Sequence, residues 1–183
     1  MARIATFLLT LLIALTPLTG CTSESEDVIA LPEYNLLDHT NSTVEKEDYL
    51  GAPYVILFSA QWCGTPCHNN MHNLNTSVPG IEVVVVSTEY DYAPQGVSMV
   101  EWIDIVNEFD DDGDDIGQTL EYTFTRVIEG DDFAEQMDVF APGTVIFVNS
   151  VGEEIQRHEG SFGPAGDEDT LALIQEYWNQ IVE

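Results

Sequence analysis

Residues 54–67, YVILFSAQWCGTPC, determine how the rest of this sequence is interpreted. The segment begins with an apolar run rich in β-branched and aromatic side chains, which is typical of a strand buried on both faces. Cys63 and Cys67 follow just past the end of this strand, with three residues between them. From Pro66 onward apolar residues recur at helical spacing, and proline is tolerated in a first helical turn. The stretch therefore predicts a strand, a turn with two cysteines, and a helix.

The remaining elements alternate between strands and helices. A second buried strand is predicted at residues 81–89, so that strand, helix and strand form a βαβ unit with parallel strands and a right-handed crossover. Before this unit, residues 31–51 predict two short strands around a turn at residues 38–42. After it, we expect a helix at 97–109 with Val97, Val100, Trp102 or Ile103, and Val106 on one face, a short strand at 122–129, and a short helix at 131–140. A hairpin at 143–160 then turns near 149–152, and an amphipathic helix at 167–183 directs Leu171, Ile174, Trp178 and Ile181 inward. The pattern predicts an α/β fold, with a central mixed sheet flanked by helices.

The first twenty residues have the pattern of a secretory signal. Arg3 precedes an apolar run that is too short for a comfortable transmembrane span. Residues 18–21, LTGC, resemble the lipobox of bacterial lipoproteins, in which the cysteine is lipidated and becomes the mature N-terminus. We therefore predict a lipoprotein signal peptide at 1–20, lipidation of Cys21, an acidic tether at 21–28 and one domain at 29–183. The three cysteines then divide into one anchor and one pair.

The charge of the chain is strongly acidic. Its formal net charge is −29, from 33 acidic side chains against four Lys and Arg, while 44% hydrophobic residues are enough to form a core. Such a surface repels nucleic acid and anionic lipid headgroups, so we expect contact with a membrane only through the lipid. Salt screens self-repulsion, with a Debye length of about 3 Å in molar salt. The composition therefore favours a salt-adapted, halophilic source over a basic partner protein.

Three segments together resemble one known family. Residues 32–44, PEYNLLDHTNSTV, resemble its N-terminal hairpin, residues 49–63 its Gly-x-Pro entry into the central strand, and residues 144–155, TVIFVNSVGEEI, its second hairpin. The family is the TlpA/ResA type of thioredoxin-fold proteins, which are membrane-anchored extracytoplasmic thiol-disulfide oxidoreductases, and the similarity covers nearly all of residues 31–183. It implies a thioredoxin-like fold with an N-terminal hairpin extension. It also implies electron exchange with protein thiols and a redox partner, without a cofactor, by a protein that we expect to be a monomer.

The chemistry of the cysteine pair can be argued from its position. A thiolate is the nucleophile in disulfide exchange, and the N–H groups at a helix N-terminus favour the ionised form. Cys63, beside Trp62, is the candidate attacking sulfur, and Cys67, about one turn into the helix, is the candidate resolving thiol. His68, if protonated, is the only local cation. The family has two residues between its cysteines, whereas three residues here can still close a disulfide but do not allow a redox potential to be transferred.

A proline is expected opposite the cysteines. In the family a cis-proline faces them and shapes the edge that binds substrate. An alignment without gaps places Gly143 at that position and Pro142 one residue early. We expect the loop to be shifted by one residue, with a cis peptide bond between Ala141 and Pro142, and with Trp62, Ala141 and Pro142 forming the substrate-binding edge.

Copper binding is an alternative function for the same pair. A CxxxC pair on a thioredoxin fold also resembles the Sco-type copper chaperones, and soft thiolates suit Cu(I). Those proteins complete the site with a distant histidine, where this chain has FAPGT at residues 140–144. His68, Met71 and His72 are local substitutes, but such a histidine pair is more typical of solvated surface, and Met71 of core. We therefore expect no metal at the site.

Two further alternatives remain open: an inert disulfide of an exported protein, and a binding module that keeps the fold without turnover. A bridge across so short a loop would stabilise the fold little. The acidic segment 108–117 does not match a calcium-binding EF-hand loop, since Gly113 at the template glycine puts Thr119 where a bidentate Glu is needed. We interpret it as a solvated loop, and we interpret His39 and His158 as surface residues.

Overall fold

A computed structural model describes residues 29–89, 95–110, 117–128 and 132–182. The predicted signal peptide, Cys21 and the tether lie outside the described residues, as does the centre of the acidic loop. Within the described residues eight strands form one sheet: β1 Ile29–Ala30, β2 Asn35–Asp38, β3 Thr43–Glu45, β4 Tyr54–Ser59, β5 Val83–Ser87, β6 Thr123–Arg126, β7 Val145–Val148 and β8 Glu153–His158. The α-helices are α1 Thr65–Ser77, α2 Met99–Asn107, α3 Phe133–Gln136 and α4 Glu168–Val182.

The sheet is mixed, as predicted, and its order is β1-β8-β7-β4-β5-β6-β2-β3. β4, β5 and β6 are parallel neighbours, so the carboxyl ends of these three strands meet at one edge of the sheet. β7 runs antiparallel to β4, and β8 runs antiparallel to β7, which confirms the predicted hairpin. All six residues of β4 are buried, because strands cover both of its sides and the two core clusters cover its faces.

Alternation along β4 divides the core between the two faces of the sheet. Val55 and Leu57 pack in one cluster with residues of α1, α2 and α4. Ile56 and Phe58 pack on the other face, in a cluster that includes Phe133 of α3. Successive side chains of a strand point to opposite faces, so this helix–sheet–helix layering follows directly from the sequence of β4.

The N-terminal hairpin is also present. β2 pairs with β3 and, on its other side, with β6, so the hairpin extends the sheet beyond the βαβ unit. Its turn is stabilised by Asp38, whose Oδ1 accepts hydrogen bonds from the backbone N–H groups of Thr40 at 2.7 Å and Ser42 at 2.8 Å. Asp side chains commonly close turns in this way.

Two helix faces differ from the prediction. In α2, Trp102 and Val106 are buried as expected, but Met99 takes the third inward position and Val100 is 59% exposed. Residues 99, 102 and 106 are spaced i, i+3 and i+7 and share one helix face, which leaves Val100 on the outer face. In α4, Ile174 and Ile181 are buried, whereas Leu171 and Trp178 are only half-buried. No helix in the described part of the chain is both long and apolar enough to span a membrane.

Candidate functional site

Cys63 and Cys67 form a disulfide at the junction of β4 and α1, with their Cα atoms 5.8 Å apart. The backbone N–H of Cys63 donates to the carbonyl of Ala60 at 2.9 Å, and that of Cys67 donates to the carbonyl of Gly64, the N-cap, at 3.0 Å. Cys67 is 1% exposed, whereas Cys63 is only half-buried. The three intervening residues are therefore accommodated by a turn and by the first turn of α1.

Trp62 lies beside the disulfide and is 51% exposed. Its indole Nε1 donates a hydrogen bond to Oε1 of Glu89 at 2.7 Å, and the other carboxylate oxygen of Glu89 accepts from the backbone N–H of Gln95 at 2.8 Å. Glu89 follows β5 just as Trp62 follows β4, so the parallel pairing brings the two together. Glu89 was not predicted as a site residue from the sequence. The indication it offered was its position just after β5, the strand that pairs in parallel with β4.

The loop of residues 141–143 corrects one prediction, because no peptide bond in the described residues is cis and the bond between Ala141 and Pro142 is trans. Gly143 has a φ of 100°, and its N–H donates to the carbonyl of Phe58 in β4 at 2.8 Å. Proline can supply neither this donor nor this φ. Gly143 therefore extends the pairing of β7 with β4 by one hydrogen bond. Pro142 precedes Gly143 by one residue, and its peptide bond is trans.

A cleft with a mixed polar and apolar lining lies at the same edge of the sheet. Its volume is about 270 Å³, and it is lined by residues that follow β5 and β6 and by the α3 segment: Thr88, Val127, Asp132, Ala134, Glu135, Val139 and Phe140. Phe140 is 84% exposed and directly precedes Ala141, which is exposed, and Pro142, which is half-buried. Phe140 was not among the predicted site residues, and its only signal in the sequence was an aromatic side chain in the loop before Pro142.

Buried asparagines hold α1 against the segment that follows β8. Asn70 is fully buried; its Nδ2 donates to the carbonyls of Gly160 at 2.9 Å and Gly143 at 3.4 Å, and its Oδ1 accepts from the N–H of Phe162 at 2.9 Å. Asn73, also fully buried, bonds the same segment through the carbonyl of Pro164 and the N–H of Gly166. The helix that carries Cys67 is therefore tied to the 143 loop by side-chain hydrogen bonds. The sequence indicated this role only through the high number of asparagines in a helix that also has a core-facing apolar stripe.

The histidine pair of α1 is a second correction. His68 is 7% exposed and His72 is fully buried, so the prediction of solvated surface is wrong. The reason is Phe109, which lies outside α2 and covers both rings, with centroids 5.2 Å from His68 and 5.3 Å from His72. Burial, together with the neighbouring His72, lowers the pKa of His68. His68 is therefore neutral at pH 7 and does not supply the cation expected beside the cysteines.

The geometry also bears on metal binding. Nε2 of His72 lies 2.9 Å from the carbonyl oxygen of Val106, and since a carbonyl only accepts, this nitrogen carries the proton. Nε2 is therefore not a metal ligand in this arrangement, and any coordination by His72 would have to use Nδ1, which is buried. Among the described residues no group of three or more His, Cys, Asp or Glu is arranged to hold a metal ion. Of the other predicted surface histidines, His39 is exposed, whereas His158 is half-buried and stacks on Phe162 at 3.8 Å.

No protein-family model and no curated protein matches the chain. Several solved structures do resemble it. A structure assigned as the thiol:disulfide interchange protein DsbE from Chlorobium tepidum has a TM-score of 0.59 at 19% identity, covering 84% of this chain and 96% of that one. A SCO1/SenC family lipoprotein from Bacillus anthracis has a TM-score of 0.60 at 13% identity, covering 85% and 98%. The thioredoxin domain of a thiol-disulfide oxidoreductase from Bacteroides vulgatus has a TM-score of 0.58 at 14% identity, covering 84% and 96%.

These similarities establish the fold. The chain has a thioredoxin-like fold, as the sequence predicts, with a CxxxC disulfide where β4 meets α1. Fold alone does not assign an activity, since function depends on the site that a fold carries.

Proposed function

We propose that this thioredoxin-fold chain is a thiol-disulfide oxidoreductase that exchanges electrons with protein thiols through Cys63 and Cys67. One observation carries the proposal: the two sulfurs are bonded at the start of α1, and the first is half-buried while the second is 1% exposed. This asymmetry suits a pair in which one sulfur meets the substrate and the other resolves the intermediate.

In the reduced protein the Cys63 thiolate attacks one sulfur of a substrate disulfide, and the other substrate sulfur leaves as a thiolate. The Cys67 thiolate then attacks Sγ of Cys63 and expels the second substrate sulfur. Two electrons pass to the substrate, and the Cys63–Cys67 bond forms as the substrate bond breaks. The reverse sequence oxidises a substrate dithiol, and the reduction potential of the pair decides which direction prevails.

The substrate would lie along Trp62, Ala141 and Pro142. The exposed indole and the exposed Phe140 offer apolar contact at the edge where Cys63 is accessible. Tryptophan and phenylalanine are enriched at protein–protein interfaces relative to the rest of the surface. The trans bond of Pro142 does not exclude the role, since the loop still reaches the end of β4 through Gly143.

The proposed location is the outer side of a bacterial membrane, reached through a lipid on Cys21 and the tether at 21–28. Its support is the lipobox-like LTGC and the lipoprotein name of the Bacillus anthracis structure. Mass spectrometry of detergent-extracted protein tests it: a diacylglyceryl adduct on Cys21 is expected, and its absence from the mature chain refutes the anchor.

Copper chaperoning is the second candidate, because the SCO1/SenC structure shares the fold and CxxxC spacing is also the Sco pattern. The burial of His68 and His72 beneath Phe109 argues against a site that these histidines would complete. Anaerobic titration with Cu(I) under competition by a chelator separates the two: stoichiometric uptake lost in Cys63→Ala would favour copper.

The direct test is a redox titration of the purified protein in glutathione and dithiothreitol buffers, with the disulfide quantified by thiol alkylation. A reversible Cys63–Cys67 disulfide and reduction of a test protein disulfide are expected. Cys63→Ala abolishes both, whereas Cys67→Ala traps a mixed disulfide. A wild-type pair that does not titrate refutes the function and leaves the non-catalytic binding module.

A further inference from the structure

Ser59, the last residue of β4, is fully buried, and its hydroxyl has no hydrogen-bond partner among the described residues. Its neighbour across the parallel pairing, Ser87, is equally buried, but the Ser87 hydroxyl donates to Oε1 of Gln61 at 2.8 Å. Buried polar groups are nearly always paired, and an unpaired one destabilises the protein. The Ser59 hydroxyl therefore calls for an explanation, and its position suggests one.

Strand alternation places Ser59 on the α1 face of the sheet. Val55 and Leu57, on the same face of β4, share a core cluster with Met71 and Leu74 of α1. Cys67 lies one turn before Met71 in α1, and it is buried like Met71. Because α1 returns antiparallel to β4, a two-residue step of the strand, about 6.6 Å, matches a four-residue step of the helix, about 6 Å. Ser59, the last residue of β4, and Cys67, in the first turn of α1, therefore lie at the same end of the layer between the strand and the helix.

We propose that Ser59 is a positioning residue whose hydroxyl donates a hydrogen bond to the sulfur of Cys67 once the disulfide is reduced. The inference rests on the proposed function. A disulfide sulfur is a weak acceptor, whereas the sulfur of reduced Cys67 accepts strongly wherever it is ionised and, as a thiol, can also donate to the hydroxyl. Reduction breaks the Cys63–Cys67 bond with two electrons and two protons taken from an external dithiol, which itself becomes a disulfide. The hydroxyl is then unpaired in the oxidised state and paired in the reduced state, which favours reduction.

The test is the reduction potential of Ser59→Ala. Alanine removes the unpaired hydroxyl from the oxidised protein and the hydrogen bond from the reduced one, so both changes favour the disulfide. We expect the equilibrium constant for reduction to fall roughly tenfold, which is about 30 mV toward a more negative potential for a two-electron couple. The matched control is Thr125→Val, since Thr125 is a fully buried β6 residue whose hydroxyl donates to the carbonyl of Val85, a bond that involves neither cysteine. The control should shift the constant less than about twofold.

Denaturant unfolding gives an independent readout. Ser59→Ala should stabilise the oxidised protein more than the reduced protein, and the ratio of the two effects on the unfolding constants should equal the shift in the redox constant. Thr125→Val should destabilise both states alike. A redox constant of Ser59→Ala that coincides with wild type, or that shifts toward easier reduction, overturns the role of Ser59 while leaving the proposed function intact. A wild-type pair that does not titrate overturns both.

Discussion

Replacement of Asn70 by Ala should destabilise the protein substantially. The substitution removes three hydrogen bonds and leaves the carbonyl of Gly160 and the N–H of Phe162 without their partner. A stranded buried group costs about 1–3 kcal/mol, so two such groups in partly buried positions predict a loss of about 2–4 kcal/mol in the free energy of unfolding. Few single substitutions outside the apolar core are expected to be as damaging.

Guanidinium unfolding of the oxidised protein, followed by circular dichroism, measures the loss by linear extrapolation. The control is Asn69→Ala, because Asn69 is half-buried and makes one hydrogen bond, to the carbonyl of Gly163 at 3.3 Å. We expect the control to lose under about 1 kcal/mol. If Asn70→Ala is no less stable than Asn69→Ala, the hydrogen bonds of Asn70 do not hold α1 to the 143 loop.

Three further predictions concern a histidine, the edge of the site and the surface charge. Burial lowers the pKa of His68 below 6.5, so the stability it contributes is present above that pH and is lost as pH falls, by at most about 1.4 kcal/mol per pH unit. Wild type should lose unfolding free energy between about pH 7.5 and about pH 5.5, and His68→Gln should lose less of it, because the residue that binds the proton is gone. An equal loss in both proteins would contradict the lowered pKa of His68. Trp62→Ala should lower kcat/KM for a protein disulfide roughly tenfold while the unfolding midpoint stays unchanged, and unaltered kinetics would exclude the indole from the substrate edge. Raising NaCl from about 0.1 to about 1 M should raise the thermal midpoint, because the Debye length falls from about 10 to about 3 Å around a chain of net charge −29; KCl should act equally, and a midpoint independent of salt would contradict a repulsive surface.

The sequence predicted the path of the chain better than the surroundings of the cysteines. The apolar run of β4 and the cysteines after it predicted a strand, a turn and a helix, and each is present. Local patterns suffice there, because strand burial and helical spacing are properties of contiguous residues. The positions of Cys63, Cys67 and Trp62 at the end of β4 followed from the same signals.

The rest of the site depends on residues distant in sequence. Phe109 covers His68 and His72 from about 40 positions away, and Asn70 bonds a segment 90 or more positions further on. A polar helix face taken by itself predicts exposure to solvent. Only the tertiary fold brings the distant residues that bury the face and pair its polar groups. For the same reason the hydroxyl of Ser59 could not be recognised as unpaired from a strand pattern.

The glycine loop that replaces the expected cis-proline limits how this protein could change. Proline at position 143 would lose the N–H that bonds Phe58 and would conflict with a φ of 100°, so a single substitution cannot restore the arrangement of the resembled family. Alanine is strained there as well, because L-residues rarely adopt a φ of 100°. A change to the cis-proline arrangement therefore requires a shift of the loop by one residue. The cysteine pair also differs from that family by one residue, since three residues separate the cysteines where the family has two. Both differences beside the disulfide are differences of spacing, and mutational paths between the two arrangements pass through insertions and deletions.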